Sequence, residues 1–291
     1  MISQPAYPED IQALARADLE TALAEDVGPG DLTASLVPEG QAVARITARE
    51  DAVVCGAPWV DAAVHALDPA ASLQWFVSDG QRCAPGQVVV EIRGASRALL
   101  SAERTALNFL QLLSGVASKT ALYVDAVAGT GTQIVDTRKT VPGLRRAQKY
   151  AVRMGGGGNH RMGLFDAVLV KENHIAAAGG IAAVMAKVAD VAAQAQFVQV
   201  EVENLDELRQ ALDAGARMIL LDNMAPDDLR EAVRINAALG ESRRAQLEIS
   251  GGVTLETVRA MAETGVDRIS VGALTKDVKA IDFSMRFEAL A

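Results

Sequence analysis

Six short clusters hold most of the polar chemistry in this chain of 291 residues: Asp136-Thr137-Arg138-Lys139, Lys171-Glu172-Asn173-His174, Glu201 with Glu203, Asp222-Asn223, Ser250-Gly251-Gly252 and Gly272-Ala273. A seventh, Asn159-His160-Arg161, follows the glycine run 155–158. A guanidinium grips both oxygens of a carboxylate in a planar fork, so Arg138 and Arg161 suit an anionic ligand, with Lys139 and Lys171 as further point charges. Glu201 and Asp222 can converge on one Mg²⁺, which takes oxygen ligands and shares them with a polyphosphate. The competing reading is a structural ion pair with a nearby lysine. Backbone N–H groups at 250–252 and 272–273, if they adjoin helix N-termini, form an anion cradle. No G-x-x-x-x-G-K-[ST] frame fits the glycine run, so taken alone it predicts a flexible loop that orders on ligand binding. Of the three histidines, His160 is the candidate ligand donor, His65 sits in an apolar helical context, and His174 is open.

These clusters fall at regular places in the element pattern. Short apolar runs at 133–135, 167–170, 197–202, 218–221, 247–249 and 268–271 alternate with helical patterns at 144–152, 181–193, 205–214, 226–238 and 255–264. Strands with helical crossovers predict a parallel sheet, curled into an α/β barrel. Each of the six strands then delivers a polar or glycine cluster at its C-terminal end, the end where such barrels build their sites. The late clusters at 250–252 and 272–273 occupy the loops that hold phosphate in eight-stranded barrels.

Upstream, Ile11, Leu14, Ala15, Leu19, Ala22 and Leu23 have helical spacing, with Glu9 and Asp10 near the start. Residues 42–94 change to period two and read as a small α+β module. The turn around Asp79-Gly80 has a faint likeness to carrier-domain hairpins, but no lysine stands at its tip. Residues 99–128 read as one or two helices, with the domain boundary at 113–118.

Charge separates the function classes. Lys plus Arg number 28 against 37 Asp plus Glu, a net charge of −9 that disfavours nucleic acid or an anionic membrane as partner. Yet residues 138–171 hold eight basic residues and one acid, Asp166. Arg145, Arg146, Lys149 and Arg153 read as a solvated helix face, which leaves Arg138, Lys139, Arg161 and Lys171 as the cluster for a ligand with several anionic groups. Thr105–Ser118, an uncharged run of 14 residues, is too short and polar to span a bilayer. Two distant cysteines, Cys55 and Cys83, and no targeting pattern give a cytoplasmic expectation.

As a set, these motifs resemble the quinolinate phosphoribosyltransferase family, also called carboxylating nicotinate-nucleotide pyrophosphorylase. The resemblance lies in Asp136-Thr137-Arg138-Lys139-Thr140-x-Pro142-Gly143, Asn159-His160-Arg161, Lys171-Glu172-Asn173-His174, Glu201-Val202-Glu203, Leu221-Asp222-Asn223 and Glu248-x-Ser250-Gly251-Gly252. Glu25-Asp26-x-Gly28-x-Gly30-Asp31-x-Thr33 and Ala102-Glu103-Arg104-x-Ala106-Leu107-Asn108 extend it over nearly the whole chain. It implies phosphoribosyl transfer from 5-phosphoribosyl 1-pyrophosphate to quinolinate with loss of CO₂, using Mg²⁺, in NAD synthesis. It implies an incomplete α/β barrel over 116–275, preceded by a smaller α+β sandwich-like domain over 1–115 that is joined by 276–291 and completed by the chain's last helix. A homodimer or dimer-based assembly with shared active sites is also implied. By position, Arg104, Arg138, His160, Arg161 and Lys171 would hold quinolinate. Lys139, Lys171, Glu201, Asp222, Ser250, Gly251, Gly252, Gly272, Ala273 and Leu274 would hold the phosphoribosyl donor and metal, with Lys139, Lys171, Glu201 and Asp222 as the catalytic set. Two alternatives stand beside this: a paralogue acting on another aromatic acid, and a barrel that senses a nucleotide without turnover.

Overall fold

The computed structural model describes residues 11–289. In chain order the elements are α1 (Ile11–Asp26), β1 (Gln41–Ala48), β2 (Ala52–Val53), α2 (Ala57–Leu67), β3 (Ser72–Trp75), β4 (Arg82–Cys83), β5 (Val88–Ala95) and α3 (Ser96–Ala126). Then follow β6 (Gln133–Val135), α4 (Arg145–Met154), β7 (Val168–Val170), α5 (Glu172–Ala178), α6 (Ile181–Ala192), β8 (Val198–Val202), α7 (Leu205–Asp213) and β9 (Met218–Asp222). The series ends with α8 (Pro226–Ala237), β10 (Gln246–Ser250), α9 (Leu255–Ala262), β11 (Arg268–Ser270), α10 (Ala273–Lys276) and β12 (Phe283–Ala289). Glu9 and Asp10, expected at the start of α1, lie outside the described residues.

Two compact units divide the chain, and the dividing point in α3 falls between Ala121 and Leu122. In the first, four antiparallel strands are ordered β12-β1-β5-β3, and β2 pairs with β4. The chain's final described element is thus not the helix that the family resemblance implied. Residues 283–289 form a strand that pairs along β1 from Ala48↔Phe283 to Ala42↔Ala289. The preceding α10 has only four residues. Phe283 is buried and Glu288 exposed, as on a sheet with one face packed.

Residues 140–156 and 274–291 also count with this first unit, so the expected 116–275 barrel segment is interrupted. The reason lies in α4, which buries Ala147, Gln148, Lys149, Ala151 and Val152. Tyr150 donates to Asp79 Oδ2 at 2.8 Å, and Gln148 Nε2 to the Thr275 carbonyl at 2.9 Å. The basic residues of α4 are therefore only in part a solvated face: Arg146 is exposed, Arg145 and Arg153 are half-buried, and Lys149 is buried. Lys149 is 1% exposed, and Arg153 lies over the Tyr150 ring at 5.9 Å. Asp79, far from being a carrier tip, accepts the Gly56 and Ala57 N–H groups at the start of α2.

The second unit is a six-stranded parallel sheet ordered β6-β11-β10-β9-β8-β7, whose first and last strands do not pair with each other: an incomplete barrel with helices as crossovers. Strands such as Met-Ile-Leu-Leu of β9 are buried along their length, as expected of a sheet covered on both faces. Pleating sets every second residue on one face. Gln199 and Glu201 share such a face on β8, as do Glu248 and Ser250 on β10, Arg268 and Ser270 on β11, and Leu220 and Asp222 on β9. The pairings Glu201↔Leu220, Leu220↔Glu248, Glu248↔Arg268 and Asp222↔Ser250 bring these faces into register. No single helix among the described residues is long and apolar enough to cross a membrane.

Candidate active site

Asp136, directly after β6, is fully buried and anchors the loop that carries Arg161. Its carboxylate accepts from Asn159 Nδ2 at 2.7 Å and from the His160 N–H at 2.8 Å. Gly158 bridges to Val135 beside β6, and its N–H donates to the Ile134 carbonyl at 2.8 Å. The glycine run is thus tied to β6 at its last residue. Gly157 and Gly158 are buried, and the bonds between Gly158 and the β6 backbone fix its conformation.

His160 does not present a free ring nitrogen. Nδ1 accepts from the Arg161 N–H at 2.8 Å, so in the neutral ring Nε2 carries the proton and donates to Gln199 Oε1, also 2.8 Å away. Arg161 is 7% exposed, and its Nη1 donates to the Ala167 carbonyl at 3.3 Å. Burial, followed by repulsion from the Arg138 guanidinium, holds the Arg161 guanidinium below its ordinary pKa, with Asp166 and Glu201 opposing the shift. The burial of Arg161 and the nearby charge of Arg138 both favour an anionic ligand. Asp166 closes the adjoining turn by accepting the Met162 and Gly163 N–H groups at 2.7 and 2.9 Å.

Across the sheet edge, Lys171 Nζ reaches both Glu201 oxygens, at 3.0 and 3.2 Å. His174 sets the lysine backbone: its Nδ1 accepts the Lys171 N–H at 3.0 Å. Burial raises the Glu201 carboxyl pKa, Lys171 lowers it, and the Asp222 charge adds to the rise. Asp222 accepts from Asn223 Nδ2 at 2.9 Å. Asn223 is the one described non-glycine residue with positive φ, at 50°, a conformation asparagine tolerates. Beside it, Gly251 has φ 95°, and a Cβ there would overlap Asn223 Oδ1. At the last strand, a Cβ on Gly272 would stand 3.1 Å from Lys139 Cδ and 3.9 Å from its Nζ, so the lysine lies along this glycine.

The second unit carries Arg138, Lys139, Lys171, Glu201, Asp222, Ser250, Gly251, Gly252, Gly272 and Ala273 at the C-terminal ends of its strands or just beyond them, and His160 and Arg161 on the segment between α4 and β7. Arg104 and Leu274 belong to the first unit. Arg104 is exposed on α3, with Asn108 one turn on also exposed, while Leu274 has its side chain wholly buried. His65 Nε2 contacts the Ala71 carbonyl at 3.2 Å, a structural role. Cys55 and Cys83 are buried free thiols. Among the described residues no cluster of three or more His, Cys, Asp or Glu side chains could hold a metal unaided. The Glu201–Asp222 pair fits Mg²⁺ only if a ligand contributes oxygens as well.

A parallel β/α sheet with cations and a carboxylate pair along one edge defines an enzyme that handles small polyanions. The quinolinate phosphoribosyl transferase N-terminal domain matches residues 31–114, and the C-terminal domain residues 116–286. The chain belongs to the quinolinate phosphoribosyltransferase family. A probable nicotinate-nucleotide pyrophosphorylase (carboxylating) of Bacillus subtilis is 41% identical over 262 residues, covering 90% of this chain and 89% of the relative. Quinolinate phosphoribosyltransferase (decarboxylating) 1 of Nicotiana glauca is 38% identical, covering 99% and 85%. The solved nicotinate-nucleotide pyrophosphorylase of Francisella tularensis superposes with a TM-score of 0.91 at 43% identity, covering 95% of this chain and 97% of that one.

Proposed function

We propose that this chain transfers the phosphoribosyl group of 5-phosphoribosyl 1-pyrophosphate to the ring nitrogen of quinolinate, releasing pyrophosphate and CO₂ and leaving nicotinate mononucleotide for NAD synthesis. The observation that carries this reading is the buried Arg161 held against the charge of Arg138, a pair matched to a dicarboxylate. Arg138 and Arg161 take the two carboxylates. Lys139, Lys171 and the backbone at Ser250, Gly251, Gly252, Gly272 and Ala273 take the donor's phosphate groups. Glu201 and Asp222 would hold Mg²⁺ jointly with donor oxygens, and the ion would supply charge neutralisation for the departing pyrophosphate.

The chemistry asked of the protein is electrostatic. Pyrophosphate leaves as Lys139 and Lys171 balance its charge, and the ring nitrogen captures the oxocarbenium-like ribose. The resulting pyridinium stabilises the carbanion formed as CO₂ departs, and that ring carbon then takes up a proton from water, so no general base is required. Arg104, exposed on α3, completes the quinolinate pocket of a second copy, so the working unit is a homodimer in the cytoplasm. The direct test incubates purified protein with both substrates and Mg²⁺ and follows nicotinate mononucleotide and CO₂. Folded protein that forms neither refutes the reading; turnover of a different aromatic acid alone points to the paralogue.

A further inference from the structure

We propose that Gln199 and Glu248 are positioning residues for the anion clamp: a buried chain of hydrogen bonds fixes the His160 ring, and the ring fixes the backbone that presents the Arg161 guanidinium. The inference rests on the reading of Arg138 and Arg161 as the dicarboxylate clamp. Gln199 and Glu248 are completely buried, on β8 and β10, on the polar face of the parallel sheet. His160 Nε2 donates to Gln199 Oε1 at 2.8 Å, and Gln199 Nε2 donates to Glu248 Oε2 at 3.2 Å. Arg268 Nε lies 3.3 Å from the same Glu248 oxygen, so the carboxylate keeps a counter-charge in the interior. The other end of the chain is the 2.8 Å bond from the Arg161 N–H to His160 Nδ1. Phe197 packs edge-on against the imidazole, with ring centroids 5.4 Å apart.

Each link fixes the direction of the next. Glu248 can only accept, so Gln199 turns its amide nitrogen toward it and its oxygen toward His160. That orientation selects the Nε2–H tautomer and leaves Nδ1 as an acceptor for the Arg161 backbone. Burying an amide and a carboxylate costs desolvation, and an apolar interior of equal volume would hold the sheet together without it. The return is a guanidinium held at a defined angle against the repulsion of Arg138.

Quinolinate binding, measured by calorimetry on the whole protein without donor or metal, tests this. Gln199→Leu and Gln199→Asn each remove the bond to Nε2. Both are expected to weaken quinolinate binding about tenfold and to raise its KM in step, while the KM for the phosphoribosyl donor stays within about twofold. A merely structural role would not split the two substrates. A folded Gln199 single variant with unchanged affinity overturns the proposal. Should both singles fail to fold, Gln199→Met, which removes the amide at nearly equal volume, takes their place, and parental affinity there overturns it. Parental protein that binds no quinolinate removes the clamp and the proposal with it.

Discussion

Gly251→Ala offers the sharpest test of how the carboxylate side of the site is built. Gly251 has φ 95°, and a Cβ there would meet Asn223 Oδ1. Placing a side chain in the left-handed region costs about 1–2 kcal/mol. The methyl also expels the Asn223 amide, whose Nδ2 donates to Asp222, and losing that bond costs about 1 kcal/mol more. The expected destabilisation is about 2–3 kcal/mol, read by equilibrium urea denaturation. Function should fail on one substrate only. Asp222 and the 250–252 backbone move, while the Arg138–Arg161 pair stands on other loops, so the donor KM should rise about tenfold with quinolinate binding nearly unchanged. A variant within about 0.5 kcal/mol of the parent, with an unaltered donor KM, would refute this account of the turn.

Burial raises the Glu201 carboxyl in the folded state, so its neutral form is favoured there. That contribution to stability is complete below the unfolded value of about 4.3 and is lost as pH rises through the higher folded value, so the parent should lose stability relative to Glu201→Gln over that interval. A pH-independent difference in urea denaturation counts against it. Arg138→Ala leaves one substrate carboxylate unmatched and should cost about 2–5 kcal/mol of quinolinate binding or transition-state energy; unchanged steady-state kinetics would remove Arg138 from the clamp. Asp222→Ala should raise the Mg²⁺ concentration needed for turnover while sparing metal-free quinolinate binding, and a Mg²⁺ titration that overlays the parent's would dismiss the shared-metal role. Reassembling Arg104→Ala with Lys139→Ala should return about a quarter of parental activity if Arg104 serves a second copy's site, since half the random dimers are mixed and each carries one intact site. No recovery, with subunit exchange confirmed, would place Arg104 outside a shared site.

The alternation of apolar strands and amphipathic helices was legible in the sequence because each parallel strand is buried along its length, as in β9. Polar residues just past the strands were legible for the same reason: they break otherwise apolar runs. What escaped depends on side-chain direction in space. Gln199, with Glu201 two residues on, sits among valines in β8, and only sheet register reveals that it meets Glu248 and the His160 ring. Asp136 reads as a strand-end acid, yet its burial makes it the anchor of the loop that follows α4. The helix α3 runs unbroken for 31 residues where one or two helices were expected. Gly115 does not interrupt it, because a Cβ there would strike the Lys279 carbonyl, and the glycine lets the C-terminal chain lie against the helix. Lys149 belongs to a charge run that ordinarily marks a solvated face, and its burial follows from which side of α4 packs.

The pairing of β12 with β1 also bears on how the protein is made. Strand β1 leaves the ribosome early, and β5 soon covers one of its edges. The other edge waits for residues 283–289, with the whole parallel sheet synthesised in between. At about 5–20 residues per second the wait is roughly 10–50 s. For that interval the nascent chain carries an open edge on Val43, Arg45 and Thr47, able to pair with a neighbouring nascent chain. Arg45 supplies a charge on this exposed strand, of the kind that discourages such pairing, and once β12 arrives it pairs with Glu288 across the closed edge.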